Sequence, residues 1–248
     1  MSQVVLKTIQ YFLLTSSLLV SVACQSNLSN ANLEHDEIIT NSNESGAGEL
    51  LQTDANRIAT IAMRNNLYSL YILLDKFYKR NPKQWRKIAN SSKEAKNIVY
   101  QSIEQNKPFP GLNNKNNIDA LYIALDPDFT GDRVGALIYG MATMIIIAHG
   151  NHTKFYISDI VNGEHVFNAA RNVDIVQWML KQRKDHKGNP LLVSNEISDN
   201  SYNLSFAKEL AKISARLDLV AAVLDERYRR VGVNYVHNLL FLTFFPVQ

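Results

Sequence analysis

The sequence predicts an all-α protein: a bundle of about six to eight helices around a central apolar helix, preceded by a disordered linker. Three observations carry that prediction. Apolar residues recur at steps of three and four through several long stretches, the spacing of a buried helix face. The segment Val134 to His149 is apolar nearly all round, as a central helix must be. No segment shows convincing strand alternation, and no fixed-period repeat is present.

The chain divides into residues 1–23, 24–50 and 51–248. In the first part, Lys7 is followed by an apolar run from Tyr11 to Val20, the pattern of a secretory signal and too short to remain as a spanning helix. Leu18-Leu19-Val20-Ser21-Val22-Ala23-Cys24 then resembles a bacterial lipobox, with Cys24 the only cysteine of the chain. Ser21 stands where that motif prefers Leu, so an ordinary cleaved signal peptide is the competing reading. The resemblance implies cleavage before Cys24, lipidation of its thiol and N-terminus, and attachment to a membrane. Gln25, in place of Asp, implies release to the outer membrane with the body facing the periplasm. Two or more acyl chains satisfy the requirement for stable anchoring.

Residues 24–50 contain Glu34, Asp36, Glu37, Glu44 and Glu49, no Lys or Arg, and many Asn and Ser. Such a composition buries too little apolar surface to offset chain entropy and predicts a disordered spacer. The body carries the opposite charge. One of the 26 basic residues lies in residues 1–23 and five of the 23 acids lie in the spacer, which leaves the body at about +7. A basic body suits anionic lipid headgroups or other acidic envelope components, and a merely solubilising surface is the plainer reading. Nucleic acid does not fit the address. With no cysteine after Cys24, the body has no disulfide and no thiolate chemistry.

The body reads as a succession of helices. Asp54 to Arg80 is the first, with Ile58, Ile61, Ala62, Tyr68, Tyr71, Leu74 and Tyr78 expected inward and Asn81-Pro82 as its stop. Lys83 to Ala89, around Trp85, and Ser92 to Asn106, with Ser92 as cap, are short amphipathic pieces. Pro108 to Gly111 and Asn113 to Asn117 mark a loop. Ile118 to Leu125 is a short helix, and Val134 to His149 the central one, a membrane-inserted hairpin being its alternative. Phe155 to Val161 is apolar. Glu164 to Lys184 is helical, with Val166, Phe167, Ala170, Val173, Ile175, Trp178 and Met179 inward. Leu191 to Val193 suggests a brief extended piece. The last helix starts at Leu204-Ser205, and Phe206, Leu210, Ile213, Leu217, Val220, Leu224, Tyr228, Val231 and Tyr235 form its seam. Leu239 to Phe245 is core or a docking tail.

The densest polar motif is Asp126-Pro127-Asp128-Phe129-Thr130-Gly131-Asp132-Arg133. Its acids and Gly131 echo a calcium loop, but Leu137 stands where the bidentate Glu belongs. The structural reading makes Thr130 or Asp132 the cap of the central helix, with the acids favoured at its positive end. As a binding site, its candidates are Asp126, Asp128, Asp132 and Arg133, the last pairing with an acid. His149 and His152 could share a metal but lack an HExxH context; His149 fits better at a helix C-terminus, as a charged or hydrogen-bonding ring. Asp225-Glu226 beside Arg227, and Lys79, Arg80, Lys83, Arg86 and Lys87, read as solvated faces, the latter also suited to headgroups. No motif calls for a metal or cofactor, and no catalytic signature is present.

The run Leu125 to Arg133, followed by Asn168-Ala169-Ala170-Arg171-Asn172 and Asn203-Leu204-Ser205-Phe206, resembles a family of proteobacterial lipoproteins with no assigned activity. The resemblance implies the address and a helical fold from Asp54 onward, and transfers no catalytic residue. The resulting expectation is a non-enzymatic envelope-binding lipoprotein. Its rivals are an enzyme or ligand carrier with a site at Asp126 to Arg133, and a lipid-binding cavity lined by the central helix.

Overall fold

Helix capping and periodicity translate into structure from Asp54 onward. The computed structural model describes residues 54–154, 161–198, 201–224, 244 and 247. The signal, Cys24, the spacer, most of Phe155 to Val161, Asp225-Glu226 and the stretch through Tyr235 to Thr243 lie outside the described residues. Among the described residues there are seven helices: α1 (Asp54–Arg80), α2 (Pro82–Trp85), α3 (Ser92–Glu104), α4 (Asn117–Ala124), α5 (Arg133–Ala148), α6 (Gly163–Gln182) and α7 (Ser205–Leu224). The described residues are all-α apart from one antiparallel hairpin, β1 (Glu196–Ser198) and β2 (Ser201–Asn203). That hairpin corrects the expectation of no strands. Three residues per strand are too few to show alternation, and the predicted extended piece at Leu191 to Val193 lies just before it.

The helix ends follow local chemistry. Ser91, rather than Ser92, caps α3 by accepting from the Glu94 amide at 3.1 Å, while the Glu94 carboxylate reaches back to the Asn90 amide at 3.0 Å. Asn162 caps α6 through the Glu164 amide at 2.9 Å. After α6, the chain turns through Gly188 at φ +81°, a backbone state that favours glycine.

α5 is the hub. It touches α1, α2, α3, α4 and α6, and from Arg133 to Ile145 every residue is buried. At 16 residues it is shorter than a span, and no helix of the described residues is long and apolar enough to cross a membrane. Gly140 lets α4 approach closely: a methyl there would lie 2.9 Å from the Leu121 side chain. α7 closes the bundle on its other side, packing against α1 and α6. It runs antiparallel to α1, because Phe77 meets Phe206 at 4.6 Å while Arg216 reaches back to Asn65, Asn66 and Ser69. Phe244 and Val247 are buried as well. The Phe244 ring packs on Tyr122 at 4.8 Å and its amide donates to the Tyr122 hydroxyl, so this part of the predicted tail is core.

Two buried faces differ from expectation. On α1, Ala62, Leu74 and Tyr78 are buried as expected and Ala59, Met63, Leu70, Leu73 and Phe77 join them, whereas Ile58, Ile61 and Tyr68 are exposed. The helix is apolar over more than one side, and its neighbours chose the stripe that also holds Asn66 and Ser69. On α6, Trp178 is exposed and Asn168 and Asn172 are buried. The α7 prediction holds across its described length: Phe206, Leu210, Ile213, Leu217 and Val220 all face the core.

Candidate functional site

The loop from Asp126 to Arg133 is a knot tied from three directions. α4 ends just before it and α5 begins at its last residue. Asp132 is the α5 cap: it is fully buried, and one carboxylate oxygen accepts from the Val134 amide at 3.1 Å. The other accepts from the Tyr78 hydroxyl of α1 at 2.5 Å. Burial pushes the Asp132 carboxyl above its usual range; the Tyr78 hydrogen bond, the Gly135 and Val134 amides and the charge of Lys87 oppose that rise. Burial likewise raises the Tyr78 hydroxyl, reinforced by the Asp132 charge, so it stays a donor.

Gly135 is required for this arrangement. A Cβ there would collide with the Phe109 ring and stand 2.5 Å from the Asp132 carboxylate. Only a bare backbone lets the helix start lie against both.

Arg133 does not pair with an acid, as the sequence suggested. Its guanidinium donates to the carbonyls of Ala124 at 2.5 Å, Asp126 at 2.6 Å, Phe129 at 3.1 Å and Pro127 at 3.4 Å. The side chain is buried and its plane lies near the Phe129 ring, 5.8 Å away. A calcium loop would gather carbonyl and carboxylate oxygens around a metal. Here a guanidinium fork gathers the carbonyls, a task its planar set of donors suits. Among the described residues, no group of three His, Cys, Asp or Glu is placed to hold a metal ion.

α2 and the turn after it supply the third strap. The Gln84 side-chain Oε1 accepts from the Arg133 amide and from Lys87 Nζ, each at 3.0 Å, and Lys87 Nζ also donates to the Gly131 backbone carbonyl at 2.7 Å. Lys87, read in the sequence as part of a wet basic face, is thus engaged; burial and the neighbouring Arg133 charge lower its pKa. Arg80 of the same cluster pairs with Glu196 at 2.6 Å.

The outer half of the loop faces water. Asp126 and Asp128 are exposed; Asp126 accepts from the Asp128 amide at 2.8 Å, an Asx turn. The Asp128 carboxylate meets the His186 ring at 2.6 Å, with both side chains exposed. The hydrogen bond and the charge of Asp128 raise the His186 pKa. Of the four candidate residues, therefore, Asp132 and Arg133 hold the loop together, and Asp126 and Asp128 remain at the surface with His186.

His149 caps α5 at its C-terminal end, as expected, but as a neutral ring. It is fully buried, Nδ1 lies 2.8 Å from the Ile145 carbonyl, and burial lowers its pKa to about 4.

A second polar seam was not legible in the sequence. Arg216 of α7 donates to the Asn65 carbonyl at 3.1 Å, Asn66 Oδ1 at 3.2 Å and Ser69 Oγ at 3.1 Å. Lys212 pairs with buried Glu209 at 2.8 Å. On the α6 side, Arg171 pairs with Asp218 and, at 3.6 Å, with Asp174, and lies 4.9 Å over the Phe167 ring. These groups read as solvated helix charge until the three helices are brought together. No protein-family model, curated protein or solved structure matches the chain, so the site stands on its own geometry.

Proposed function

We propose that this chain is an outer-membrane-anchored lipoprotein facing the periplasm, whose helical body is a non-enzymatic binding or envelope-interaction module. The observation that carries the reading is the lipobox-like run ending at Cys24, followed by an acidic spacer and a basic body. The internal engagement of Asp132 and Arg133 supports it further, because the most site-like motif of the sequence spends its polar groups on the fold. The test is the mass of the N-terminal peptide from protein isolated from its native membranes. The reading expects Cys24 at the N-terminus carrying acyl chains, and release from the membrane fraction on Cys24→Ser. An unacylated Cys24 in the native protein overturns it. Crosslinking in intact cells then tests the module, which requires a stoichiometric envelope partner.

A second reading, an enzyme or small-ligand protein with its site at this loop, rests on Asp126, Asp128 and His186 meeting at one exposed place. Asp126→Asn and Asp128→Asn separate the two. Lost function at unchanged stability favours the second reading; unchanged function favours the first.

A further inference from the structure

We propose that the first turns of α1 and the last turns of α7 form a face that docks on an anionic lipid bilayer, the same membrane to which the chain is tethered. The inference rests on the lipoprotein reading for the identity of the membrane, and on an independent surface feature for the contact. Large apolar side chains are exposed on both helices: Ile58 37 %, Ile61 42 % and Tyr68 37 % on α1, Leu219 58 % and Val223 42 % on α7. The antiparallel pairing fixed by Phe77 with Phe206, and by Arg216 with Asn65 and Asn66, sets the first turns of α1 beside the last turns of α7. Ile58, Ile61, Leu219 and Val223 therefore gather at one end of the bundle. A grouped apolar patch on a water-facing surface marks an interaction site, where scattered single residues would not.

The charges around the patch select the partner. Arg57 and Arg64 flank it on the exposed side of α1. Of the four acids of these helices, Asp75 pairs with Lys79 and Lys96, Glu209 with Lys212, and Asp218 with Arg171; the fourth is Asp54, the first residue of α1. An apolar patch flanked by the exposed Arg57 and Arg64 matches the boundary between acyl chains and anionic headgroups. The tether enters at the same end. α1 begins at Asp54, thirty residues after Cys24, so the patch can lie no farther than about 100 Å from the anchor. A short tether raises the local concentration of its cargo at the surface and makes a weak contact effective.

The experiment uses the full chain purified with its native N-terminus and carrying Leu219→Cys, labelled with an environment-sensitive fluorophore. A second preparation is labelled at Tyr202→Cys. Tyr202 is 74 % exposed on the hairpin and precedes the opposite end of α7, about 20 Å or more along the helix from Leu219. Both are bound to vesicles of phosphatidylglycerol or of phosphatidylcholine containing brominated acyl chains. The proposal expects a blue shift and bromine quenching at position 219 on phosphatidylglycerol only, with position 202 unchanged on both. Adding Arg57→Glu and Arg64→Glu should weaken the 219 signal by about tenfold or more, since each basic residue near an anionic leaflet multiplies partitioning about fivefold. A 219 probe that stays in water on both vesicles overturns the proposal. So does a probe shifted without vesicles, which shows the face covered by the chain itself, by a second copy or by a protein partner. Failure of the lipoprotein reading appears separately, as a free thiol at Cys24, and the vesicle comparison then proceeds with Cys24→Ser added to each labelled variant, so that only position 219 or 202 takes the fluorophore, and with the protein simply added to the vesicles.

Discussion

Asp128 and Asp132 lie in one loop and meet opposite fates. Asp132 is fully buried, held by the Tyr78 hydroxyl and the first amides of α5, and with Arg133 it ties three parts of the chain together. Asp128 is exposed and meets His186 beyond its own turn. The contrast teaches that polar density in a sequence does not locate a site. A carboxylate at a helix start is a cap where the bundle closes over it and a surface group where it does not.

Six substitutions, in four steps of falling effect, would break or sharpen that contrast. The largest effect belongs to Arg133→Ala, which removes a charged donor from the carbonyls of Ala124, Asp126 and Phe129 together; a loss of about 3–5 kcal/mol in urea unfolding is expected. Arg133→Lys should recover little, because one ammonium cannot span the fork. An Arg133→Ala protein that unfolds at the native midpoint would remove the knot from the argument.

The next effect is a pH dependence. His149 is neutral in the folded protein with a pKa near 4, while an unfolded histidine titrates near its ordinary 6.5. Between those values the unfolded chain binds the extra proton, so stability falls as pH drops from 6.5 toward 4, by about 3 kcal/mol at the end of that window. Asp132 acts with the opposite sign, its raised pKa favouring the folded state on the acid side. His149→Gln should flatten the slope of unfolding midpoint against pH over that window; an unaltered slope assigns the dependence elsewhere.

Gly135→Ala and Tyr78→Phe come third. The methyl of the first overpacks the helix start against Phe109 and Asp132, and the second strips the buried carboxylate of its donor. Each should cost about 1–3 kcal/mol, read from thermal or urea unfolding. The smallest effect is expected for Asp128→Asn, at the exposed end of the loop, where the melting temperature should not move measurably. A large loss there would show that the His186 contact pins the loop.

Much of the fold was legible and part of the candidate site was. The span of α1, the N-cap role of Asp132, the place of His149 and the inward seam of α7 follow from patterns a few residues long. The charge state of His149 did not, because a ring at a helix end is cationic in water and neutral in a core. Nor did the grip of Arg133, whose neighbours include Gln84, 49 residues away.

The residues by themselves determined the helices, most of their ends and the unbroken apolar character of α5, since hydrogen bonds within four residues and a 3.6-residue period are local properties. Only the tertiary structure decided which side of α1 is buried. That helix offers one stripe through Ile58, Ile61 and Tyr68 and another through Met63, Leu70 and Phe77, and a single chain segment has no preference between them. α5 and α7 buried the second and left the first in water. The same closure turned Asp132 and Arg133 into internal struts, because burial commits a polar group to whatever partners the neighbouring elements bring.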